Sequence, residues 1–218
     1  MQAPRLILLF FILFVSCQGN DPNVVTTADR ESKITPQAND TVIETPGIMP
    51  SDTALNKLKL ALTSNAVQLV DAVTGSTKEI SFGMPYEQLV AITGRILEGK
   101  PISVGVNSEC GAGPLKMATW PNGLTLVFME KKRGSSEWLF AGWFAGKPTG
   151  KGDKPTTMAG VGVGSTLEEL ESAYVTTITK TTLGQEFSIK QGFYGILSGT
   201  GKKATIDVIW SGTSCNFR

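Results

Sequence analysis

The feature of the sequence that says most about its chemistry is the lack of histidine, which is absent from all 218 residues. Without histidine the chain cannot assemble a Ser-His-Asp or Cys-His nucleophile or an H-E-x-x-H zinc site. It also lacks the commonest metal ligand of proteins. Ser-Lys or carboxylate catalysis remains open. We therefore expect a protein that is not an enzyme and that needs no metal and no cofactor.

The first sixteen residues have the order of a secretory signal. Residues 1–5 carry one positive charge, residues 6–15 form an unbroken apolar run, and the small Ser16 precedes Cys17. A signal peptide places its charged head, apolar core and small cleavage-site residue in this order. The apolar run makes about 15 Å of helix, half of the roughly 30 Å that a membrane span requires. We predict that residues 1–16 are a signal peptide and are removed.

Residues 13–17, Leu-Phe-Val-Ser-Cys, resemble the bacterial lipobox. The resemblance implies that the Cys17 thiol is diacylated and that Cys17 becomes the new N-terminus. Several fatty chains of the palmitate kind would hold the protein stably on a membrane. Gln18 favours the outer membrane, with the folded part facing the periplasm. The alternative is an ordinary cleaved signal followed by an incidental cysteine.

The two remaining cysteines, Cys110 and Cys215, form an even pair once Cys17 carries lipid. Exported proteins fold in an oxidising compartment, where such a pair indicates a disulfide. We predict a Cys110–Cys215 bond, which would contribute several kcal/mol in the chain-entropy model for a loop of about a hundred residues. Two free buried thiols are the alternative.

Composition divides the exported chain into segments. Residues 17–53 are rich in Asn, Asp, Thr, Ser and Pro and cannot bury enough apolar surface to fold, which predicts a flexible tether behind the lipidated cysteine. After it we predict a first α+β unit over residues 54–145 that starts with a β-hairpin. A Gly/Pro/Lys linker over 146–159 then leads to a second α+β unit over 160–218.

Two stretches of these units, residues 79–94 and 160–174, share one plan. In each, alternating apolar residues precede a glycine, Gly83 or Gly164, and an amphipathic helix follows. After each helix the pattern changes to the period of two that is typical of strands. Self-similarity at one offset indicates a duplication. We therefore expect an α+β fold of two tandem related units, each a short helix followed by an antiparallel β-meander.

Local signals predict where the two helices start and stop. Pro85 suits the first turn of the first helix, and Gly94 suits its exit. Ser165 and Glu168 match the S-x-x-E capping box at the start of the second helix. Glycines before that helix can expose amide donors to an anion, but the phosphate-loop lysine is missing. We expect this glycine loop to be architectural.

Aromatic residues on the predicted strands are the candidates for a binding surface, because Trp and Tyr are favoured anchors where proteins meet. Ordinary core packing is the alternative for each of them. Neighbours on a regular strand point to opposite faces, so one member of each adjacent pair should leave the core. The candidates are Trp120, Trp138, Trp143, Phe144, Tyr194 and Trp210.

The formal charge is balanced, with 20 basic and 19 acidic residues and a net charge of +1. A nucleic-acid-binding domain carries a clustered basic patch. We expect no nucleic-acid partner.

The duplicated unit of glycine, short helix and strand meander, with Trp143 and Trp210 each ending the last strand of a copy, is similar to the units of secreted β-lactamase inhibitor proteins. It also resembles the small lipoprotein subunit of the outer-membrane barrel-assembly machine. The likeness covers about residues 78–212. It implies protein–protein recognition on a concave sheet surface.

The sequence thus favours a membrane-anchored bacterial envelope lipoprotein that binds an envelope protein or a cell-wall polymer through an aromatic sheet face. A small carboxylate-dependent envelope hydrolase and a purely structural accessory subunit are the alternatives. An enzyme would show a concave pocket with convergent carboxylates. A binding protein would show a contiguous exposed apolar patch.

Overall fold

The computed structural model describes residues 58–215, which are mostly β-sheet with two helices. This composition is compatible with the predicted α+β class. The predicted signal peptide, the lipidation site Cys17 and the predicted tether lie outside the described residues. Between residues 58 and 215, neither helix has the length and hydropathy of a membrane span.

A four-stranded sheet contains the first three described strands. β1 (Leu58–Thr63), β2 (Ala66–Asp71) and β3 (Thr77–Ser81) form an antiparallel meander. The Asp71 carboxylate closes the β2–β3 turn by accepting two backbone N–H groups at 2.8 and 2.9 Å. β2 and β3 form a hairpin where the sequence pattern predicts one, and β1 extends it by one strand.

The second sheet has eight strands, and every two strands that are neighbours in space are antiparallel. Their bounds are β4 Ser103–Asn107, β5 Leu115–Thr119, β6 Leu124–Glu130, β7 Trp138–Ala145, β9 Thr176–Thr181, β10 Gly184–Ile189, β11 Tyr194–Leu197 and β12 Ile206–Gly212. Their order in space is β4-β5-β6-β7-β12-β11-β10-β9. Each meander therefore runs from an edge of the sheet to its centre, where β7 and β12 pair.

The segment predicted as a linker, residues 146–159, contains the two-residue strand β8 (Thr156–Thr157). β8 pairs in parallel with β1 and so belongs to the four-stranded sheet. Two further N–H groups of this segment donate to the Pro121 carbonyl at 2.9 and 3.0 Å. The Asn122 amide donates to the Asp153 carbonyl at 3.0 Å. The segment is thus held along its length by hydrogen bonds.

The first helix, α1 (Tyr86–Ile96), precedes β4. Pro85 has extended backbone angles and is the N-cap, so it lies one residue before the first helical turn in which the sequence predicts it. The predicted exit at Gly94 is wrong, since the helix continues for two more residues. The Gly94 carbonyl instead accepts the Gly99 N–H at 2.9 Å, which satisfies one of the last helical carbonyls.

The second helix, α2 (Leu167–Ala173), precedes β9 and starts one residue later than predicted. Thr166 is the N-cap, and its hydroxyl accepts the Glu169 N–H at 3.2 Å. The Glu169 carboxylate accepts the Thr166 N–H in return at 2.7 Å. The predicted Ser165–Glu168 box is therefore wrong, because the Ser165 hydroxyl accepts the Gly162 N–H.

One apolar cluster joins both sheets and both helices. Its fully buried members include Leu62 of β1, Leu89 of α1, Leu170 of α2, and Leu126, Phe128 and Phe140 of the large sheet. We call the face of the large sheet that carries Leu126 and Phe140 the inner face, and the opposite one the outer face.

Candidate binding surface

Two of the six candidate aromatics are core residues. Trp120 and Trp143 are each 1% exposed. The Trp143 Nε1–H donates to the Thr63 carbonyl at 2.7 Å, and the Trp120 Nε1–H donates to the Gly99 carbonyl at 2.9 Å. These indoles attach the large sheet to β1 and to the end of α1, and they are not accessible to a partner.

Trp138 lies half-buried beside α1 in a cluster that stabilises the packing of the helix on the sheet. The Lys116 ammonium lies 3.7 Å from the centre of the Tyr86 ring and 5.8 Å from that of Trp138. A cation over aromatic faces contributes roughly 0.5–1 kcal/mol at such partly exposed sites. Burial raises the pKa of the Tyr86 phenol, and the Glu87 carboxylate adds to that rise.

The other three candidates lie side by side on the outer face. Phe144 of β7 is paired with Trp210 of β12, and Trp210 is paired with Tyr194 of β11. The Tyr194 and Trp210 rings stack at 6.2 Å with an angle of 23°. Of the adjacent candidates Trp143 and Phe144, Trp143 is buried and Phe144 is half-buried. The buried Phe193 likewise precedes Tyr194, which is 42% exposed.

These aromatics are the middle of a row that crosses the whole sheet. On one side the register continues through three hydroxyl side chains, and on the other through two more. The Thr119 and Thr125 hydroxyls hydrogen-bond each other at 2.9 Å. We call this set the outer row: Ser103, Thr119, Thr125, Phe144, Trp210, Tyr194, Ser188 and Thr177.

Exposure within the outer row is uneven. Trp210 is 3% exposed, whereas Tyr194 is 42% exposed. A large buried ring that supports an exposed tyrosine gives a preformed apolar contact point. The hydroxyl side chains elsewhere in the row can hydrogen-bond a partner, which offsets the cost of removing them from water. The row can therefore bind by contact and hydrogen bonding.

Next to the outer row, a second small apolar cluster covers part of the outer face. It contains Cys110, Leu115 and Val127, with Cys215 packed against them. The chain enters it after β12, where the Thr213 N–H donates to the Ala141 carbonyl at 2.8 Å. The segment after β12 thus crosses the outer face and places Cys215 next to Cys110.

Cys110 and Cys215 are free cysteines in this structure, with Cys110 buried and Cys215 half-buried. Their side chains are close enough to hydrogen-bond. That hydrogen bond raises the pKa of Cys215, and desolvation raises it further. The structure therefore places the predicted pair in contact, and the predicted covalent bond between them stays a prediction.

One acidic side chain that could do chemistry is buried on β10. Glu186 is 8% exposed, and its carboxylate accepts the Thr181 hydroxyl at 2.7 Å. Thr181 lies on the neighbouring strand β9. Within residues 58–215, no group of three or more His, Cys, Asp and Glu side chains is arranged to hold a metal ion.

A groove of about 1010 Å³ lies between β1, the end of α1 and residues 151–160. Its walls include the apolar Leu60 and Ile96 and the buried Trp120. Its rim carries an ion pair between Lys59 and Asp153 at 3.8 Å. Both charges are exposed, and such a pair contributes little to stability. A smaller groove of about 790 Å³ lies beside the small apolar cluster that contains the two cysteines.

The backbone amides of the glycine loop before α2 already donate hydrogen bonds within the fold. The Leu167 N–H donates to the Ala204 carbonyl at 2.8 Å, and the Glu168 N–H donates to the Lys202 carbonyl at 3.0 Å. The Gly164 N–H donates to the Ile206 carbonyl at 2.8 Å. These amides pair with the chain that leads into β12, so the loop is architectural, as the sequence indicates.

Comparison of the chain with protein-family models, with curated proteins and with solved structures gives no match.

Proposed function

We propose that this chain is a membrane-anchored lipoprotein of the bacterial envelope that binds an envelope protein through the outer row. The leader, the lipobox-like residues and Cys17 support the location. Among the classes that the sequence leaves open, we favour a non-catalytic binding protein, because Tyr194 is exposed and its ring stacks on the buried Trp210.

The observation that carries the proposal is the exposed Tyr194 on the buried Trp210. Residues that dominate protein interfaces are enriched in Tyr and Trp and lie within a ring of contacts that exclude water. Tyr194 fits this description in part, because the Trp210 ring stacks on it from one side and Ser188 lies next to it on the other. A protein surface is favoured over a sugar polymer because the Trp210 ring is 3% exposed.

We further propose that the two helix-and-meander halves are related tandem units. The mirrored strand order about the β7–β12 pair supports this relation. So do the matching positions of Gly83 and Gly164, which precede α1 and α2 with positive φ values of 100° and 91°. A side chain is strained in that backbone conformation, which explains a glycine at both positions.

The test is affinity capture from detergent-solubilised membranes with the tagged full chain, followed by direct binding to each recovered protein. Tyr194→Ala should weaken that binding by roughly tenfold or more, as expected for an interface anchor. Val73→Ala is the control, because Val73 is an exposed apolar residue on the β2–β3 turn, away from the outer row.

Equal binding by both variants would contradict the proposal. Recovery of no partner, together with turnover of envelope polymers by the full chain, would favour the hydrolase alternative. Retention on isolated cell wall that Tyr194→Ala abolishes would assign the same surface to a polymer instead of a protein.

A further inference from the structure

The small apolar cluster on the outer face is rich in sulfur. Four of its six members carry a sulfur atom, namely Cys110, Cys215, Met117 of β5 and Met129 of β6. Thiolate and thioether sulfurs are soft ligands, which bind soft metal ions in preference to hard ones. We therefore asked whether the structure arranges these sulfurs as a metal site.

The two cysteine sulfurs are in direct contact. The Cys110 and Cys215 side chains hydrogen-bond each other, and the Gly111 backbone N–H hydrogen-bonds the Cys215 sulfur. A hydrogen bond from a backbone N–H favours the thiolate form of a cysteine, which is the form that binds metal ions. The pair thus offers two adjacent thiol ligands and a backbone group that supports one of them.

A third sulfur is positioned by the same segment that carries Cys215. The Thr213 hydroxyl donates to the Met129 Sδ at 3.4 Å. Thr213 lies two residues before Cys215, so one short stretch of chain places Cys215 and also holds the Met129 thioether. Hydrogen bonds of this kind orient the ligands of a metal site. The thioether keeps a second lone pair for a metal ion.

The sulfur cluster is also open to solvent on one side. Cys110 and Met129 both line the groove of about 790 Å³ that lies beside the cluster. A metal ion can reach these two sulfurs through the groove without passing through the large apolar core. The cluster therefore has an entry path, which a functional metal site requires.

We propose that the reduced chain binds one monovalent copper ion through Cys110 and Cys215, with Met129 as the third ligand. Soft thiolate and thioether ligands select Cu(I). A structural zinc site needs four ligands from Cys, His and carboxylate side chains, and the part of the chain that the structure describes has no group of even three. The lack of histidine, from which we expect no metal, does not bear on a site made of sulfur alone.

The metal ion and the predicted disulfide are alternative states of one cysteine pair. When Cu(I) binds, each thiol loses its proton and its sulfur bonds the metal. A Cys110–Cys215 disulfide instead joins the two sulfurs to each other and leaves no thiolate. Only the reduced pair can therefore hold the metal. The ligands lie outside the outer row, so this inference is independent of the proposed binding of an envelope protein.

The first test is anaerobic competition for Cu(I) between the reduced full chain and a chromophoric Cu(I) chelator. A Cys17→Ser background leaves Cys110 and Cys215 as the two cysteines of the chain. We expect one Cu(I) per chain. Cys110→Ser and Cys215→Ser should each lower the affinity by more than the roughly 10–100-fold that loss of a supporting contact costs. Circular dichroism checks that these variants keep their fold.

The methionine ligand separates a built site from two adventitious thiols. Met129→Leu should weaken Cu(I) binding by roughly tenfold or more. Met158→Leu is the matched control and should bind as the parent does, because Met158 is 54% exposed and lies outside the sulfur cluster. Equal affinity of these two variants would show that two adventitious thiols alone hold the ion, and would overturn the proposal.

Two further measurements bear on the ligands themselves. X-ray absorption of the copper-loaded chain should report copper bound by three sulfur atoms and by no nitrogen or oxygen. Oxidation of the cysteine pair before copper is added should abolish binding. A reduced chain that takes up no Cu(I), copper bound by nitrogen or oxygen, or unchanged binding by the oxidised chain would each contradict the proposed site.

Discussion

Neighbouring groups determine the chemistry of the two described cysteines. Cys110 packs with Leu115 and Val127 in a small apolar cluster. Cys215 hydrogen-bonds Cys110, which favours its protonated form and raises its pKa. The same contact that makes Cys215 slow to react as a thiol holds it against Cys110.

The raised pKa predicts slow alkylation of Cys215 in the reduced chain. The thiolate is the reactive form, so a higher pKa lowers the reactive fraction at any pH below it. We expect iodoacetamide to modify Cys215 more slowly at neutral pH than an unperturbed thiol, with the rate rising as the pH approaches the raised pKa. Cys110→Ala removes the hydrogen-bond partner and should speed the reaction. Equal rates in both proteins would contradict the assignment.

Intact mass of the protein from its native membrane tests the location and the disulfide together. We expect a chain that begins at Cys17, carries fatty acyl groups and takes up no alkylating reagent until a reductant is added. The lipobox-like residues predict the acylation of Cys17, and export to an oxidising compartment favours the disulfide. An unmodified Cys17 behind an intact leader, or two thiols that alkylate without reductant, would contradict this prediction.

At the level of elements, local sequence patterns predict most of the strands and some of the helix ends. The two meanders fall on the segments that alternate in the sequence, because alternation along a strand places its apolar residues on the inner face of the sheet. The start of α2 was predicted one residue early because Ser165–Glu168 and Thr166–Glu169 both match a capping box. The Ser165 hydroxyl instead accepts the Gly162 N–H. This contact belongs to the glycine loop, and the sequence signals for helix ends do not predict it.

The two candidate capping boxes make different stability predictions. Thr166→Ala should lower the free energy of unfolding by about 1 kcal/mol, because it removes the side-chain oxygen that caps the Glu169 N–H. Glu169→Gln should cost less, since an amide can still accept from the Thr166 N–H. Chemical denaturation with Glu168→Gln as control measures both. A larger loss for Glu168→Gln than for Thr166→Ala would support the earlier register.

At the scale of the whole molecule, long-range pairings decide which aromatics face outward. The β7–β12 junction joins residues more than sixty positions apart, and sequence periodicity does not specify it. A register shift at Val127/Phe128 also changes which β7 residues face the core, so that Phe140 and Trp143 both point inward. Alternation therefore predicts that one of Trp143 and Phe144 leaves the core, but not which one.

Trp143 links the two sheets, so replacing it should lower the free energy of unfolding of the whole domain. Trp143→Phe keeps a ring beside Phe193 but removes the Nε1–H that donates to the Thr63 carbonyl. An unpaired buried acceptor costs about 1–3 kcal/mol, so we expect urea unfolding to show a loss of that size. Trp138→Phe is the control, because Trp138 is half-buried at the start of β7. Equal stability of Trp143→Phe and the wild type would contradict the role of this hydrogen bond.

The most direct test of the central claim is photo-crosslinking in living cells with a light-activated aromatic amino acid in place of Tyr194. The account predicts one or a few discrete adducts with envelope proteins at position 194 and none when the same group replaces Val73. Adducts at both positions alike, or at neither, would contradict the assignment of the outer row as the binding surface.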